Sequence, residues 1–153
     1  MPQPDPTVGD PVIIVHGRGH AVAALKAAAA AGRPVVLASA AGAGGYAGAG
    51  WFRALAEVAG AVVPEARFAV LLDCGVEAGP ALAALRVGID GVVFTGRGDV
   101  ACRLAAIARQ RGARVLTARP VNALDLGSDF FATETRLVAL CAAFLSRAGS
   151  RTP

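Results

Sequence analysis

Short runs of consecutive apolar residues recur along the chain and alternate with longer, alanine-rich stretches. Because the apolar residues are consecutive rather than alternating with polar ones, the runs predict strands that are covered on both faces, as in a parallel sheet. Five predicted strands start at about residues 12, 35, 68, 91 and 114. The corresponding runs are Val12–Val15, Val35–Ala38, Phe68–Leu72, Gly91–Phe94 and Arg114–Thr117.

The stretches between these runs carry apolar residues at helical spacing. Gly32, Gly88 and Gly112 lie just beyond three of the predicted helices, where a left-handed glycine commonly ends a helix. Asp99 is placed to cap the start of the fourth helix. The five predicted helices lie near residues 20–31, 51–63, 78–87, 99–111 and 133–147.

This alternation predicts an α/β fold with about five parallel strands and five helices joined by right-handed crossovers. Five such units cannot close an eight-stranded barrel. Two architectures therefore remain open: an open, flavodoxin-like three-layer sandwich, or a partial (half) TIM barrel. The proline-rich residues 1–11 predict a flexible tail, residues 12–148 a single α/β domain, and residues 149–153 a frayed end.

Composition narrows the class of protein further. The chain has 153 residues, of which 55% are hydrophobic and 17% charged, and this excludes a disordered chain and suits one domain. Three cysteines without a C-x-x-C pair predict neither a disulfide scaffold nor a zinc ribbon. The pattern of an export signal and that of a membrane helix are both missing from the sequence. We therefore expect a cytoplasmic protein without membrane association.

Charge and helix composition bear on the partners of the protein. The net charge is +4, but the arginines are scattered and have no aromatic residues between them, so we expect no nucleic-acid partner. The helix near residues 21–31 is largely alanine, and a small parallel sheet leaves an uncovered edge. Since small side chains let helices approach closely, we expect a homodimer or a larger homo-oligomer.

Residues with useful chemistry concentrate directly after the predicted strands, where parallel α/β sheets bind their ligands. Two Gly-Arg-Gly turns could offer N–H groups and a guanidinium to an anion, or could simply allow tight turns. Neither turn matches a nucleotide fingerprint, and we predict no cofactor. The long glycine-rich loop at residues 40–50 is either a binding or gating loop or a disordered connection. The candidate ligand-binding residues are Arg18, Gly17, Gly19, Ser39, Tyr46, Arg97, Gly96, Gly98 and Arg119.

Candidate catalytic residues lie at the same predicted edge. Asp73 ends an otherwise apolar strand, a position that suits acid/base chemistry or a structural carboxylate that accepts from the next loop. Cys74 is a candidate nucleophile, or else a packed core cysteine. His16 and His20 are candidate proton-transfer partners, or else part of a polar rim. We predict no metal site.

Several segments resemble class II, metal-dependent fructose-bisphosphate and tagatose-bisphosphate aldolases. They are Pro34–Ser39, Gly45–Gly48 and Phe68–Gly75, the last ending in Leu-Asp-Cys-Gly where that family has Leu-Asp-His-Gly. Residues 81–93 and, more weakly, residues 121–127 extend the resemblance. It covers the first five βα units of the family's TIM barrel, within residues 12–127 of this sequence.

The resemblance implies that Asp73 is the acid/base residue. The metal-binding His of the family is replaced by Cys74, and the family's Glu ligand after the fifth strand has no Glu counterpart in this sequence. The other His ligands and the phosphate-gripping loops belong to later strands that the sequence does not contain. We therefore expect a reduced relative of such a barrel, or a domain that converged on similar strands, rather than a working metal-dependent aldolase.

Three functions follow as hypotheses. The leading one is a non-catalytic or reduced aldolase-like domain that binds a small anionic, phosphorylated ligand at the carboxyl ends of the strands. The second is a lyase-type enzyme of aldolase ancestry that uses Asp73 as acid/base with His16 or His20. The third is a structural or oligomerisation protein without a small-molecule site. A hydrogen bond between Asp73 and a histidine would favour the second, and a filled edge without a pocket the third.

Overall fold

Strands and helices largely alternate over residues 9–149, the part of the chain that the computed structural model describes; the exceptions are the consecutive helices α2 and α3 and the consecutive strands β5 and β6. The predicted α/β fold class is confirmed. The predicted tail residues 1–8 and end residues 150–153 lie outside the described part. The elements are β1 (Val12–Ile14), α1 (Arg18–Ala31), β2 (Val35–Ala38), α2 (Ala43–Tyr46), α3 (Ala49–Val62), β3 (Phe68–Asp73), α4 (Ala78–Arg86), β4 (Gly91–Val93), α5 (Gly98–Gln110), β5 (Arg114–Leu116), β6 (Ala123–Asp125) and α6 (Glu134–Gly149), with a 3-10 turn at Gly127–Asp129.

The six strands form one sheet in the order β5-β4-β3-β2-β1-β6, and every neighbouring pair is parallel. The prediction of about five strands missed β6, a three-residue strand that pairs with β1. From β1 to β5 the spatial order follows the chain order, as in a barrel, whereas a flavodoxin-like sheet has the order 2-1-3-4-5. The strand order thus matches the partial-barrel alternative.

The two faces of the sheet are covered differently. Strand residues such as Ile13, Leu37 and Leu72 pack against the helices in the main hydrophobic core. Their alternate neighbours, because side chains of a strand point to opposite faces, form a second cluster made of strand residues only. In the described part of the chain, the helices therefore cover one face of the sheet, and we call the other the inner face. The buried residues of the inner face are Val12, Ile14, Val36, Ala38, Ala69, Leu71 and Val93.

The alanine-rich helix α1 is buried within its own chain. It packs against α6 on one side and α3 on the other, and Ala21, Ala23, Ala24 and Ala28 are fully covered. Small side chains do allow close helix approach here, as expected, but the neighbours are helices of the same chain. The composition of α1 therefore gives no support to self-association.

The helix ends test two predictions. Gly32, Gly88 and Gly112 all adopt positive φ, at 63°, 84° and 68°, which confirms the predicted left-handed positions. The predicted cap at Asp99 is wrong, because α5 begins at Gly98 with Arg97 as its N-cap residue. Asp99 lies inside the first turn, and its carboxylate accepts from the Arg97 guanidinium rather than from the helix backbone. No helix of residues 9–149 combines the length and apolarity that crossing a membrane requires.

Candidate functional site

Asp73 ends β3 as a buried carboxylate with donors on both oxygens. Only 4% of the residue is exposed. Its Oδ1 accepts from the backbone N–H groups of Gly42 at 2.8 Å and Gly75 at 2.9 Å. Its Oδ2 accepts from the guanidinium of Arg119, and its own backbone N–H donates to Ser39 Oγ at 2.9 Å. These contacts match the structural alternative for Asp73 and leave it without a histidine partner.

Arg119 reaches Asp73 from the segment at residues 117–122, which joins the two edge strands β5 and β6. Arg119 lines a small cavity together with the inner-face residues Ile14, Ala38 and Leu71. It therefore lies at the carboxyl ends of the strands, next to the inner face. That cavity measures only ≈ 10 Å³, about the space of one water molecule. The inner face is therefore closed at this end by an ion pair, and a buried carboxylate requires such a partner.

A second polar cluster joins the ends of β1 and β6. His16 Nε2 lies 2.6 Å from Asp125 Oδ1, which also accepts from the N–H of Gly127 at 2.8 Å. Burial acts to raise the pKa of Asp125, but the hydrogen bonds from His16 and Gly127 and the charge of Arg119 together lower it. Arg119 therefore acts electrostatically on Asp125 as well as on Asp73. The histidine of the candidate site pairs with Asp125 rather than with the predicted Asp73.

His20 lies behind this pair, in the first turn of α1. It is 3% exposed, and its Nδ1 accepts from the backbone N–H of His16 at 3.2 Å. Its ring meets those of His16 and Phe130 edge to face. Burial and the neighbouring His16 lower its pKa, although the backbone of Asp129 lies near enough to act in the opposite direction. Its Nε2 meets no partner in hydrogen-bond geometry within residues 9–149, so His20 is a covered, neutral side chain rather than a rim residue.

The cysteines are poor candidates for nucleophilic chemistry. Burial, reinforced by the nearby carboxylates of Asp73 and Glu77, raises the pKa of Cys74 to about 12. Burial also raises the pKa of Cys141 to about 11, whereas Cys102 is exposed. A thiol that stays protonated at neutral pH does not act as a nucleophile, so the contacts of Cys74 match the packed-cysteine alternative.

The two Gly-Arg-Gly turns differ in what surrounds them. In the first, Arg18 is exposed and forms no ion pair with any described residue, and α1 has neither a side-chain cap nor an acidic residue in its first turn. In the second, Arg97 pairs with Asp99 through two contacts of 3.1 Å. Packing alone explains the glycine at position 96, since a Cβ there would lie 2.5 Å from the Phe94 ring. Only the first turn thus offers an unneutralised arginine beside an uncapped helix start.

The glycine-rich loop is largely helical. Residues 43–46 form the short helix α2, and Gly42 and Gly48 flank it with φ values of 70° and 89° that favour glycine. Tyr46 on α2 is 72% exposed, whereas Ser39 before the loop is buried against β3. The candidate binding residues therefore do not converge on one pocket. Tyr46 and Arg97 are exposed, whereas Ser39 accepts a hydrogen bond from the Asp73 backbone and Arg119 forms an ion pair with the Asp73 carboxylate.

Asp125 is the residue that the sequence analysis failed to select as a site residue. A usable signal exists, because Asp125-Leu126-Gly127 repeats the pattern Asp73-Cys74-Gly75. In both, the carboxylate Oδ1 accepts from the N–H of the glycine two residues later, which is an Asx-type turn. Asp-x-Gly therefore follows the last apolar residues of a strand twice in this chain, and this repeated pattern is the local signal that could have indicated β6.

Two further features lie outside this region. A cavity of ≈ 810 Å³ opens at the amino ends of β1 and β6, near Pro11, Arg33 and Arg147, and it contains none of the predicted site residues. It borders Gly9 and Asp10, where the described part of the chain begins. Across the described residues, no three His, Cys, Asp or Glu side chains are grouped so that they could hold a metal ion.

No protein-family model matches the sequence, and a comparison with curated proteins finds no match. The resemblance to class II aldolases therefore stays a prediction.

Proposed function

We propose that the protein binds a small phosphorylated or otherwise anionic ligand at the first turn of α1. The observation that supports this most is the exposed Arg18, which forms no ion pair within residues 9–149 and lies beside a helix start without a capping side chain or an acidic residue in its first turn. The first N–H groups of a helix have no partner within the helix and carry partial positive charge, which attracts phosphate groups. A guanidinium beside them adds charge-assisted hydrogen bonds.

The surroundings of the turn fit the same ligand chemistry. A Cβ at Gly19 would meet nothing within 4 Å, so the turn is open at Gly19, whereas a Cβ at Gly17 would meet the Phe130 ring at 3.9 Å. The turn around Arg97 is less suitable, because Asp99 places a negative charge in the first turn of α5 and pairs with the Arg97 guanidinium. The proposed site thus uses only one of the three arginines predicted from the sequence, Arg18, and it lies at the start of α1, next to the carboxyl end of β1.

Titration with inorganic phosphate, followed by the amide signals of the protein, tests this proposal. We expect saturable shifts of the amides of Gly17, Arg18 and Gly19, with a dissociation constant on the order of 1 mM for the bare anion. Arg18→Gln should weaken binding about tenfold, since it removes the charge that assists the hydrogen bonds. The matched control Arg97→Gln should leave binding unchanged. Shifts that do not saturate, or equal losses in both variants, would contradict the proposal.

One contact favours a second candidate function, a lyase-type enzyme. A carboxylate can only accept, so the 2.6 Å contact with Asp125 requires the proton on His16 Nε2. In the neutral ring Nδ1 is then the acceptor, and a histidine oriented by a carboxylate is a common general base. The acid/base pair of this candidate would be His16 and Asp125. Asp73 would not take part in proton transfer but would hold Arg119, whose charge acts on Asp125. A sugar-phosphate cleavage assay in which Asp125→Asn retains full activity would exclude it.

The remaining expectations concern location and partners. The three cysteines are unpaired, which supports a reducing compartment such as the cytoplasm. The filled inner face is also what a structural protein without a ligand would need. We retain the proposal of a homo-oligomer without nucleic acid, but its contact surface must be sought away from α1.

A further inference from the structure

Three arginines where α5 ends and β5 begins carry charge that the described part of the chain does not neutralise. Arg109 lies in the last turn of α5, Arg111 directly follows that helix, and Arg114 is the first residue of β5. All three are exposed, and none takes part in an ion pair with a described residue. The sequence contains no acidic residue between Asp99 and Asp125. This edge of the sheet therefore carries an excess of positive charge.

Asp90, the acidic residue that precedes β4, is engaged on the other side of that strand. Its backbone carbonyl accepts from the backbone N–H of Arg114 at 3.0 Å. Its carboxylate, however, accepts from the backbone N–H of Val70 on β3 at 2.8 Å, and β3 and β5 lie on opposite sides of β4. The Asp90 carboxylate is therefore turned away from Arg114 and does not neutralise its guanidinium.

The strand beside these arginines has a free edge. Within residues 9–149, β5 is the last strand of the sheet and pairs only with β4. The N–H of Arg114 and the C=O of Leu116 both form their hydrogen bonds on the β4 side. Because the backbone groups of successive strand residues point to opposite sides, the N–H and C=O of Val115 point away from β4. Such edge groups are a template on which a further strand can add.

The arginines lie on both sides of this free edge. Val115 packs with the helix-covered core and Leu116 with the inner face, so Arg114, two residues before Leu116, lies on the inner-face side. Arg109 and Arg111 belong to α5 and its end, and hence to the helix-covered side. An added strand presents successive side chains to these two sides in turn, so neighbouring carboxylates can each form charge-assisted hydrogen bonds with a guanidinium. A second copy of β5 would instead bring like charges together, which opposes self-pairing.

We propose that the free edge of β5 binds an extended, acidic segment of a partner protein as an additional strand. The backbone of Val115 supplies the strand pairing, and Arg109, Arg111 and Arg114 select carboxylates. The contacts are exposed to solvent and screened by salt, so we expect a dissociation constant on the order of 100 µM at about 20 mM salt. This inference does not depend on the proposed ligand site, since that site follows β1, which three strands separate from β5.

Fluorescence anisotropy with a labelled peptide tests the charge selection. The probe is a ten-residue peptide that alternates pairs of glutamates with pairs of threonines, and its counterpart has lysine in place of each glutamate. We expect only the acidic peptide to bind, and the double variant Arg109→Gln/Arg111→Gln should raise its dissociation constant roughly tenfold. The matched control is Arg147→Gln, an exposed arginine of α6, which packs against α1. Binding of both peptides alike, or equal losses in the double variant and the control, would overturn the proposal.

Amide hydrogen exchange of the native chain tests the strand pairing itself. With the acidic peptide at saturation, the N–H of Val115 should exchange at least about tenfold more slowly, because it then donates to the added strand. The N–H of Arg114, which already donates to Asp90, is the internal reference and should change little. Unchanged exchange at Val115 with the peptide bound, or tighter binding of a ten-nucleotide oligothymidine than of the peptide, would show a general surface for polyanions and would refute the addition of an acidic strand.

Discussion

Removal of the Arg119 side-chain charge should destabilise the fold more than any other arginine substitution at the strand edge. In Arg119→Met the apolar stem is kept, while Asp73 Oδ2 loses its donor in a side chain that is 5% exposed. Breaking a fully buried ion pair costs about 3–5 kcal/mol. Because the Arg119 side chain is 36% exposed, solvent screening reduces this, and we expect a loss of about 2–3 kcal/mol in the free energy of unfolding. For a chain of this length that corresponds to a Tm lowered by roughly 5–10 °C.

Urea denaturation of a double-mutant cycle measures the ion pair itself. The cycle comprises Arg119→Met, Asp73→Asn and the double variant, and we expect a coupling free energy of about 2 kcal/mol. Arg97→Met is the matched control, because its pair with Asp99 is exposed at both partners, 81% and 51%, and should change stability by less than about 0.5 kcal/mol. A cost for Arg119→Met no greater than that for Arg97→Met would refute the view that this ion pair closes the inner face.

Three further predictions concern other parts of the chain. Because the pKa of His20 is lowered in the folded state, unfolding takes up a proton once the pH falls below about 6.5. We therefore expect the Tm, measured by thermal denaturation, to drop between about pH 7.5 and pH 5. If the Tm of a His20→Leu variant falls with pH as steeply as that of the native protein, another group is responsible. A thiol reagent should modify Cys102 alone in the native protein and all three cysteines in urea, because Cys74 and Cys141 are buried. Rapid labelling of Cys74 in the native protein would contradict both its burial and its pKa, which is raised to about 12. Gly44→Ala would place a Cβ 2.7 Å from Cys74 Sγ and 3.1 Å from the carbonyl oxygen of Asp73, and should lower the free energy of unfolding by about 1–3 kcal/mol in a denaturation experiment. The control Gly50→Ala, whose Cβ would have nothing within 4 Å, should leave the free energy of unfolding unchanged or raise it. Equal effects of the two variants would argue against close packing at Gly44.

The candidate site was only partly predictable because ion pairing depends on partners that are distant in sequence. The sequence placed Asp73 and Arg119 at the same strand edge, but as an acid/base residue and an anion-binding residue. In the structure they neutralise each other across 46 residues. His16 and Asp125 meet across 109 residues because β6 returns to pair with β1. β6 was missed because it offers only two consecutive apolar residues, Ala123 and Leu124, between Asn122 and Asp125.

Local sequence determined the elements of this protein, and tertiary structure determined which side chains are free to act. Continuous apolar runs predict β1 to β5 because strands buried on both faces must be apolar throughout, and glycines at positive φ end the helices because other residues are strained there. Whether an arginine is neutralised, whether a histidine is covered, and whether an apolar helix face meets the core or remains exposed all depend on long-range packing. The chemistry of Arg119 and His20 was therefore decided by the fold, since charge and burial arise from neighbours in space rather than in sequence.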